Sequence, residues 1–157
     1  MGENADILKK GFEAFGNGDL DAASENWSDD IRWDGTNDDR LPLGGRVEGK
    51  DTVKDALANL GDHWESFSVT PDEFHDSDDT VIVLGHAEAK AKETGNEARW
   101  PFVQVWRFKE GKATEVLALA DTFEIAKALG VAEGNGSGDS GDSGDSDDSG
   151  GSDDSDE

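Results

Sequence analysis

The chain has 157 residues, no cysteine, no tyrosine and a formal net charge of −24. This length suits one domain with at most a tail, the missing cysteine excludes disulfides and thiolate metal sites, and the negative charge argues against binding nucleic acid. There is no apolar run of about 18 residues and no basic, apolar leader, so we expect a cytoplasmic protein without a membrane partner.

The N-terminal part of the chain predicts two helices and a short strand. Apolar side chains at helical spacing indicate a first helix over residues 4–15, which ends in a glycine-rich turn at 16–18. Asp19 is the predicted N-cap of a second, short helix. The apolar stripe of that helix consists of Leu20, Ala23 and Trp27. Ile31 and Trp33 alternate with polar residues, which is typical of a short strand.

A loop rich in glycine, proline and aspartate covers residues 35–49 and leads to a third helix. Asp51 is the predicted N-cap of this helix, which reaches residues 63–64. Its apolar face consists of Val53, Ala56, Leu57 and Leu60. Four strands follow, and they cover residues 66–75, 80–92, 98–108 and 112–120. A short helix over 122–129 ends at Gly130.

This order of elements predicts the fold class. Helices followed by consecutive strands indicate an α+β domain, in which a curved antiparallel sheet wraps around three N-terminal helices. The chain shows no alternation of strand, helix and strand, which argues against a parallel sheet.

The composition changes sharply after residue 133. Residues 134–157 contain only glycine, serine, asparagine and acidic residues, so this segment has nothing apolar to bury and we expect a disordered acidic tail. The predicted domain, residues 1–133, still carries 29 acidic against 14 basic residues, a net charge of −15. Halophiles use such a surplus of surface carboxylates, so we expect a salt-loving source.

The strands between residues 80 and 108 decide which side chains share a face. A two-residue turn at either 94–95 or 95–96 pairs residues whose numbers sum to 189 or 191. Both choices give the same two faces. One face carries Trp100, Phe102, Gln104 and Trp106 opposite Val83, Gly85, Ala87 and Ala89. Large aromatic residues over a glycine and alanine floor either pack tightly or leave a cavity under the helices.

The opposite face of the same strands is too apolar to be left in solvent in so acidic a protein. It carries Ile82, Leu84, Val103 and Val105 together with His86. We therefore expect a homodimer that buries this outer sheet face. His86 is then an interface or surface residue.

Six short motifs carry a family resemblance. They are AFGNGDLD at 14–21, DDIRW at 29–33, GKDTV at 49–53, FVQVW at 102–106, EGK at 110–112 and DT at 121–122. In this order and spacing the chain resembles SnoaL-like, ketosteroid-isomerase-related proteins of the nuclear transport factor 2-like superfamily. The resemblance covers roughly residues 5–130. It implies a cone of curved sheet and three helices, commonly dimeric, but no particular activity.

The catalytic residues known in the family are not matched. Ketosteroid isomerases use a carboxylate base with a tyrosine and a protonated aspartate that hold the enolate oxygen. Alignment places Gly11 at the tyrosine and Gln104 at that aspartate. The base falls on Gly35 or, with one gap, on Asp34. The histidine and aspartate of the polyketide cyclases fall on Gln104 and Ala118, so we expect neither chemistry.

Three polar side chains remain candidates for catalysis. The amide of Gln104 can donate and accept hydrogen bonds, so it either orients a ligand oxygen or is satisfied by neighbouring backbone or water. Asp34 and His63 are placed near the expected cavity mouth, where either could move a proton. The alternatives are a surface aspartate and a histidine that caps a helix end.

The role of Asp121 depends on a turn. If residues 109–111 form a three-residue loop, Ala118 and Ala120 face inward and Asp121 does not, whereas a two-residue turn at 110–111 reverses this. Asp121 also suits the N-cap of the last helix, and we favour that role.

The predicted function is binding of a small, largely apolar molecule by a cytoplasmic homodimer. The predicted ligand contacts are Trp33, Trp64, Trp100, Phe102, Trp106 and Asp121. If the protein is an enzyme, we expect proton transfer beside a carbonyl or addition or loss of water, with Gln104 polarising the oxygen and Asp34 or His63 moving the proton. We expect no cofactor and no metal site. The alternative is a non-catalytic dimeric scaffold with a filled core.

Overall fold

The computed structural model describes residues 2–35 and 40–131. It has an α+β fold in which helices pack against a curved sheet of six strands. The helices are α1 (Glu3–Gly16), α2 (Leu20–Ala23), α3 (Lys50–Ala58), which continues as a 3-10 turn (Asn59–Asp62), and α4 (Thr122–Leu129). The strands are β1 (Trp27–Asp34), β2 (Arg46–Glu48), β3 (Trp64–Ser77), β4 (Thr80–Ala91), β5 (Glu97–Lys109) and β6 (Lys112–Ala120).

The sheet is mixed, with the strand order β2-β1-β6-β5-β4-β3. Neighbouring strands are antiparallel except β1 and β6, which are parallel, so the prediction of an entirely antiparallel sheet was wrong. Turn residues indicate pairing between strands that follow each other in sequence. A parallel pair needs a long crossover, and β1 and β6 are joined by most of the domain, so no local signal revealed this pair.

The second helix is shorter than predicted. Asp19 caps it as expected, since its carboxylate accepts a hydrogen bond from the backbone N–H of Ala22 at 3.0 Å. The helix ends at Ala23, because the Ser24 hydroxyl donates to the Leu20 carbonyl at 2.8 Å and the chain then turns into β1. Trp27 is therefore the first residue of a strand and not part of the helix stripe.

The third helix begins earlier than predicted, and Asp51 is not its cap. The N-cap is Gly49, whose φ of 98° lies in the left-handed region that glycine tolerates. The Gly49 N–H donates to the Ile31 carbonyl at 2.8 Å, which fixes the chain beside β1 and starts the helix at Lys50. The predicted loop before this helix also contains β2, where Val47 pairs with Trp33.

The hairpin of β4 and β5 has the predicted faces but a different turn. The observed pairs sum to 187, as in Val83 with Gln104, because the Ala91 N–H donates to the Asn96 carbonyl at 2.8 Å and so closes a four-residue loop, 92–95. The Thr94 hydroxyl donates to the Ala128 carbonyl of α4 at 2.6 Å, a tertiary contact that holds this longer loop. Since 187 is odd like the predicted sums, the inward face is confirmed, and Trp100, Phe102 and Trp106 are buried on it. Their side chains pack with the helices and do not point away from them.

The turn between β5 and β6 has two residues, Glu110 and Gly111, both with positive φ. A bulge beside Arg107 shifts the register by one residue, so Ala118 and Ala120 nevertheless share the inward face with Gln104. Asp121 lies outside the sheet and caps α4 by accepting a hydrogen bond from the Glu124 N–H at 3.2 Å. The prediction of a helix cap at Asp121 is confirmed.

One part of the inward face is tightly packed. Phe102 lies directly over Gly85, where a Cβ would come within 2.6 Å of the Phe102 ring. Phe12 of α1 stacks on Phe102 with ring centroids 6.4 Å apart. The missing side chain of Gly85 makes room for the Phe102 ring, and this packing leaves no space for a ligand here.

The predicted tail at 134–157 and the end of the predicted domain at residue 133 lie outside the described residues. Within the described ranges, no helix combines the length and apolar character needed to cross a membrane.

Candidate functional site

A cavity of about 710 Å³ lies between the helices and the inner face of the sheet. Residues of α1, α2, α3, the 3-10 turn and four strands line it. Its larger apolar side chains are Ile7, Leu8, Phe12, Phe15, Trp27, Trp33, Leu43, Leu57, Leu60, Phe67, Val69, Trp106 and Phe108. A cavity of this size and character is typical of sites that hold a small, largely apolar molecule.

Three tryptophans form one wall of the cavity. The ring centroids of Trp27, Trp33 and Trp106 lie 5.8–6.4 Å from one another. Strand register brings two of them together: Trp33 on β1 pairs with Val116 on β6, and Val116 pairs with Trp106 on β5. The indoles of β1 and β5 therefore meet edge to face above the smaller valine, at an interplanar angle of 86°.

Gln104 lies on the same face, two residues before Trp106, and also lines the cavity. The Trp106 indole N–H donates to the Gln104 amide oxygen at 2.8 Å. Because an indole N–H is only a donor, this bond fixes which end of the amide is the oxygen. The amide NH₂ group of Gln104 is then the end available to donate to a bound molecule.

Trp33 contributes an unusual polar group to this wall. Its side chain lines the cavity, yet the residue is only 5% exposed, and its indole N–H has no hydrogen-bond partner among the described residues. A buried donor that gives up water without gaining an acceptor costs about 1–3 kcal/mol. Such groups are rare in folded proteins, and here the indole nitrogen itself has less than 1 Å² of accessible surface, so it does not open onto the cavity.

Among the described lining residues, the charged side chains lie at the helical side of the cavity. Glu3, Asp6 and Lys10 of α1 and Glu25 after α2 are exposed residues of its lining. Three carboxylates against one ammonium give this mouth a surplus of negative charge. We expect it to disfavour the entry of an anion.

A salt bridge joins α2 and α3 beside this mouth. Lys54 donates a hydrogen bond to the Asp21 carboxylate at 2.6 Å, and this bond lowers the pKa of Asp21 and raises the pKa of Lys54. Asp21 directly precedes Ala22 and Ala23, which line the cavity. The ion pair therefore fixes the short helix that forms part of the mouth.

The predicted proton-transfer residues are not part of the described cavity lining. Asp34 instead binds two guanidinium groups, Arg46 Nε at 2.7 Å and Arg32 Nε at 3.4 Å. His63 is exposed and caps the 3-10 turn before β3. Asp121 caps α4 on the surface. The structure thus does not bring these three groups together with Gln104.

Six aromatic or acidic ligand contacts were predicted, and two of them, Trp33 and Trp106, line the cavity. Trp64 and Trp100 form a second aromatic cluster with Phe67, in which the indole centroids are 5.8 Å apart. Phe102 is packed between Phe12 and Gly85. Trp64, Trp100, Phe102 and Asp121 are absent from the described lining.

Sequence reasoning missed several lining residues. Trp27 was assigned to a helix stripe, and Phe12 and Phe15 were assigned only to the first helix. The pair Phe12 and Phe15 did carry a signal, because their spacing puts both rings on the inner side of α1. Gly11, placed at the tyrosine position of the isomerases, also lines the cavity.

The described residues contain no group of three or more histidine or acidic side chains arranged to hold a metal ion. Gln104 is an amide that does not titrate, so it can orient an oxygen but cannot take up a proton. The wall described above can therefore enclose and orient a molecule, while its titratable groups lie at the exposed mouth.

The chain thus has an α+β fold in which an apolar cavity lies between the helices and a curved mixed sheet. The family model of the SnoaL-like domain matches residues 8–116, so the chain belongs to the SnoaL-like family. No curated protein matches the chain.

Solved structures support the same assignment. An NTF2-like protein of Burkholderia pseudomallei K96243 is 30% identical, with a TM-score of 0.77 over 82% of this chain and 98% of that one. An NTF2-like protein of Burkholderia xenovorans LB400 is 26% identical, with a TM-score of 0.72 over 81% and 95%. A SnoaL-like polyketide cyclase of Jannaschia sp. CCS1 is 17% identical, with a TM-score of 0.70 over 80% and 90%, and this likeness concerns the fold alone.

Proposed function

We propose that this protein binds a small, largely apolar molecule in the cavity walled by Trp27, Trp33 and Trp106. The observation that carries the proposal is a space of about 710 Å³ lined by aromatic and aliphatic side chains. Each 100 Å² of apolar ligand surface that leaves water there contributes about 2.5 kcal/mol. Membership of the SnoaL-like family is consistent with small-molecule binding.

Binding is favoured over proton transfer or hydration on a carbonyl compound. Those reactions need a base within hydrogen-bond reach of the substrate. Asp34 and His63 lie outside the described lining, and the carboxylates that do line the cavity are exposed at its mouth. Gln104 supports orientation of an oxygen, which serves binding as well as catalysis.

Calorimetric titration with acetophenone, a small aromatic ketone, tests the proposal. We expect saturable binding to the wild type and loss of binding in Gly11→Met, because Gly11 lines the cavity and a longer side chain there occupies the space. Gly16→Met is the matched control: Gly16 is on the same helix, outside the lining, and a Cβ there meets nothing within 4 Å. Absence of binding to the wild type, or equal binding to both variants, contradicts the proposal.

We also propose that the outer sheet face joins two copies of the chain. Two rows of apolar residues cross β4, β5 and β6 on that face, and each row is fixed by strand pairing. The rows are Ile82–Val105–Leu117 and Leu84–Val103–Leu119. Leu119 is 50% exposed and Leu117 is 42% exposed in the single chain. A second copy related by a twofold axis would cover this patch with the same patch.

Light scattering after size-exclusion chromatography tests this pairing. We expect a dimer for the wild type and a monomer for Leu119→Lys, because each copy would bury an unpaired ammonium group in the interface. Phe123→Lys is the control, since Phe123 is 61% exposed but lies on α4 and not on the outer face. A monomeric wild type, or a dimer that survives Leu119→Lys, contradicts the pairing.

A further inference from the structure

The two ends of the cavity differ in chemistry. One end is bordered by charged side chains of α1 and of the turn after α2, namely Glu3, Asp6, Lys10 and Glu25. The other end, called the Phe67 end below, is bordered by apolar side chains, namely Phe15, Leu43, Leu57, Leu60, Phe67 and Val69. A bound molecule therefore meets charged side chains at one end and hydrocarbon at the other.

Strand pairing shows that the cavity extends along the inner face of the sheet. Phe67 on β3 pairs with Ala89 on β4, while Trp106 on β5 pairs with Val81 on the same β4 strand. Positions 81 and 89 of one strand lie roughly 20–25 Å apart. Phe67 and Trp106 both line the cavity, so the space between them suits a molecule that is longer than it is wide.

Phe67 stands between the cavity and two buried tryptophans. The centroid of its ring lies 6.2 Å from that of Trp64 and 6.2 Å from that of Trp100. Phe67 lines the cavity, whereas the two tryptophans are each 4% exposed and absent from the described lining. A molecule that extends along the cavity towards these indoles therefore meets the Phe67 ring first.

The sheet beside Phe67 carries only small side chains. Phe67 pairs with Ala89, which pairs with Ala98, and Ala87 and Ala91 flank Ala89 on the same face. A methyl group cannot swing into the space that a lost ring would leave, and protein interiors relax only partly around such a gap. The size of the side chain at position 67 therefore sets how far the cavity extends.

We propose that Phe67 determines the length of the ligand, and that the ligand places a hydrocarbon group at the Phe67 end and any polar group towards the charged end. A polar group at the Phe67 end would lose its water, and the side chains there offer it no hydrogen bond. This inference rests on the proposed function, since it concerns a molecule in the same cavity. It adds an orientation and a limit on length, which volume and apolar lining do not define.

A series of phenyl n-alkyl ketones, from acetophenone to dodecanophenone, tests the limit by titration of tryptophan fluorescence. These probes differ only in the number of methylene groups. For the wild type we expect the affinity to rise about threefold to fourfold per methylene group and then to level off or fall, once the chain reaches Phe67. In Phe67→Ala this maximum should move by roughly three to four methylene groups, which fill the volume of a phenyl ring.

Phe74→Ala is the matched control. Phe74 also lies on β3 and is half-buried like Phe67, but it packs against Phe12 and is absent from the described lining. This variant should keep the chain-length maximum of the wild type. The milder change Phe67→Leu should move the maximum in the same direction as Phe67→Ala by a smaller step, and the maximum of the wild type can be measured without any variant.

Indole signals in a ¹H–¹⁵N spectrum show where the chain goes. The longest ketone that binds should shift the Trp64 and Trp100 signals of Phe67→Ala much more than those of the wild type, each compared with its own ligand-free spectrum. A chain that instead leaves through the charged end would leave these signals of Phe67→Ala unchanged.

The outcomes for the two proposals are distinct. Affinity that keeps rising along the whole series in the wild type, a maximum unchanged in both Phe67 variants, or an equal displacement in Phe74→Ala overturns the length inference and leaves the binding cavity standing. So do unchanged Trp64 and Trp100 signals in Phe67→Ala. Failure of every ketone to bind, acetophenone included, overturns the proposed function and with it the inference.

Discussion

The Trp106 indole and the Gln104 amide depend on each other at the wall of the cavity. Trp106 is buried, and its N–H donates to Gln104 at 2.8 Å. Removing only the acceptor leaves a buried donor without a partner, whereas removing both groups leaves no unpaired polar atom. Losses of stability in single and double variants should therefore differ in a characteristic way.

A double-mutant cycle on Gln104→Leu and Trp106→Phe measures this dependence. We expect Gln104→Leu to lower the free energy of unfolding by about 1–3 kcal/mol, since it leaves the buried Trp106 N–H without an acceptor. In the Trp106→Phe background the same change should cost clearly less, giving a coupling energy of about 0.5–3 kcal/mol. Urea denaturation gives the values, and strictly additive losses contradict the hydrogen bond.

The residues of the site were only partly predictable. The inward orientation of Trp33, Gln104 and Trp106 could be predicted, because side chains alternate between the two faces of a strand. A change of register by two residues keeps the same side chains on the inner face. Asp34 and His63 were placed by expectation about the cavity mouth. Whether a side chain reaches a cavity depends on how distant elements pack, and for Asp34 the decisive contacts are the two arginines, which no local pattern specifies.

At the scale of elements, the ion pair of Asp21 and Lys54 fixes α2 against α3. The pKa of Asp21 is lowered by its hydrogen bond with Lys54. A carboxyl group whose pKa is lower in the folded state stabilises the fold above its unfolded pKa, and this contribution disappears as the pH falls through the folded pKa. The ion pair therefore loses its stabilising effect over a pH range that begins near 3.8, the ordinary pKa of an aspartate, and extends to lower pH.

Thermal melts of the wild type and Asp21→Asn across pH test this link. At neutral pH we expect the variant to melt at a slightly lower temperature, because the Asp21 side chain is 90% exposed and water screens its ion pair with Lys54. The difference should shrink as the pH falls below 3.8 and vanish once the pH is below the lowered pKa of Asp21 in the folded protein. Asp62→Asn is the matched control, since Asp62 is exposed and has no ion pair among the described residues, and it should show no such pH-dependent difference. If the difference in melting temperature between the wild type and Asp21→Asn persists or grows in acid, the ion pair is not its cause.

Elements with local signals were predicted well, and those set by distant contacts were not. Strands β3 to β6 and helix α4 lie within a few residues of their predicted positions, since alternation and turn residues specify them. The loop at 92–95 is longer than predicted because Thr94 bonds to α4, and the bulge beside Arg107 compensates for a tighter turn. The parallel pairing of β1 with β6 has no local signal at all.

At the scale of the whole molecule, charge dominates the expected behaviour in solution. The domain over residues 1–133 has 29 acidic against 14 basic residues, so unpaired carboxylates repel one another across the surface. Salt screens this repulsion, with a screening length of about 30 Å at 0.01 M and about 3 Å at 1 M. It also weakens exposed ion pairs, but the surplus of acids makes repulsion the larger effect.

We therefore expect the protein to be more stable in concentrated salt. The melting temperature should rise by roughly 5 °C or more between about 0.01 M and about 1 M potassium chloride. Differential scanning calorimetry at several protein concentrations separates this effect from salt-dependent dimerisation. A melting temperature that falls as salt increases contradicts the expectation of a halophilic protein.

The central claim is that a small apolar molecule binds against Trp27, Trp33 and Trp106 and not against Trp64 and Trp100. The five tryptophans give five indole N–H signals, one for each residue. On titration with acetophenone, the signals of Trp27, Trp33 and Trp106 should shift in a saturable way while those of Trp64 and Trp100 stay in place. Shifts confined to Trp64 and Trp100, or no saturable shift in any of the five, would contradict the claim.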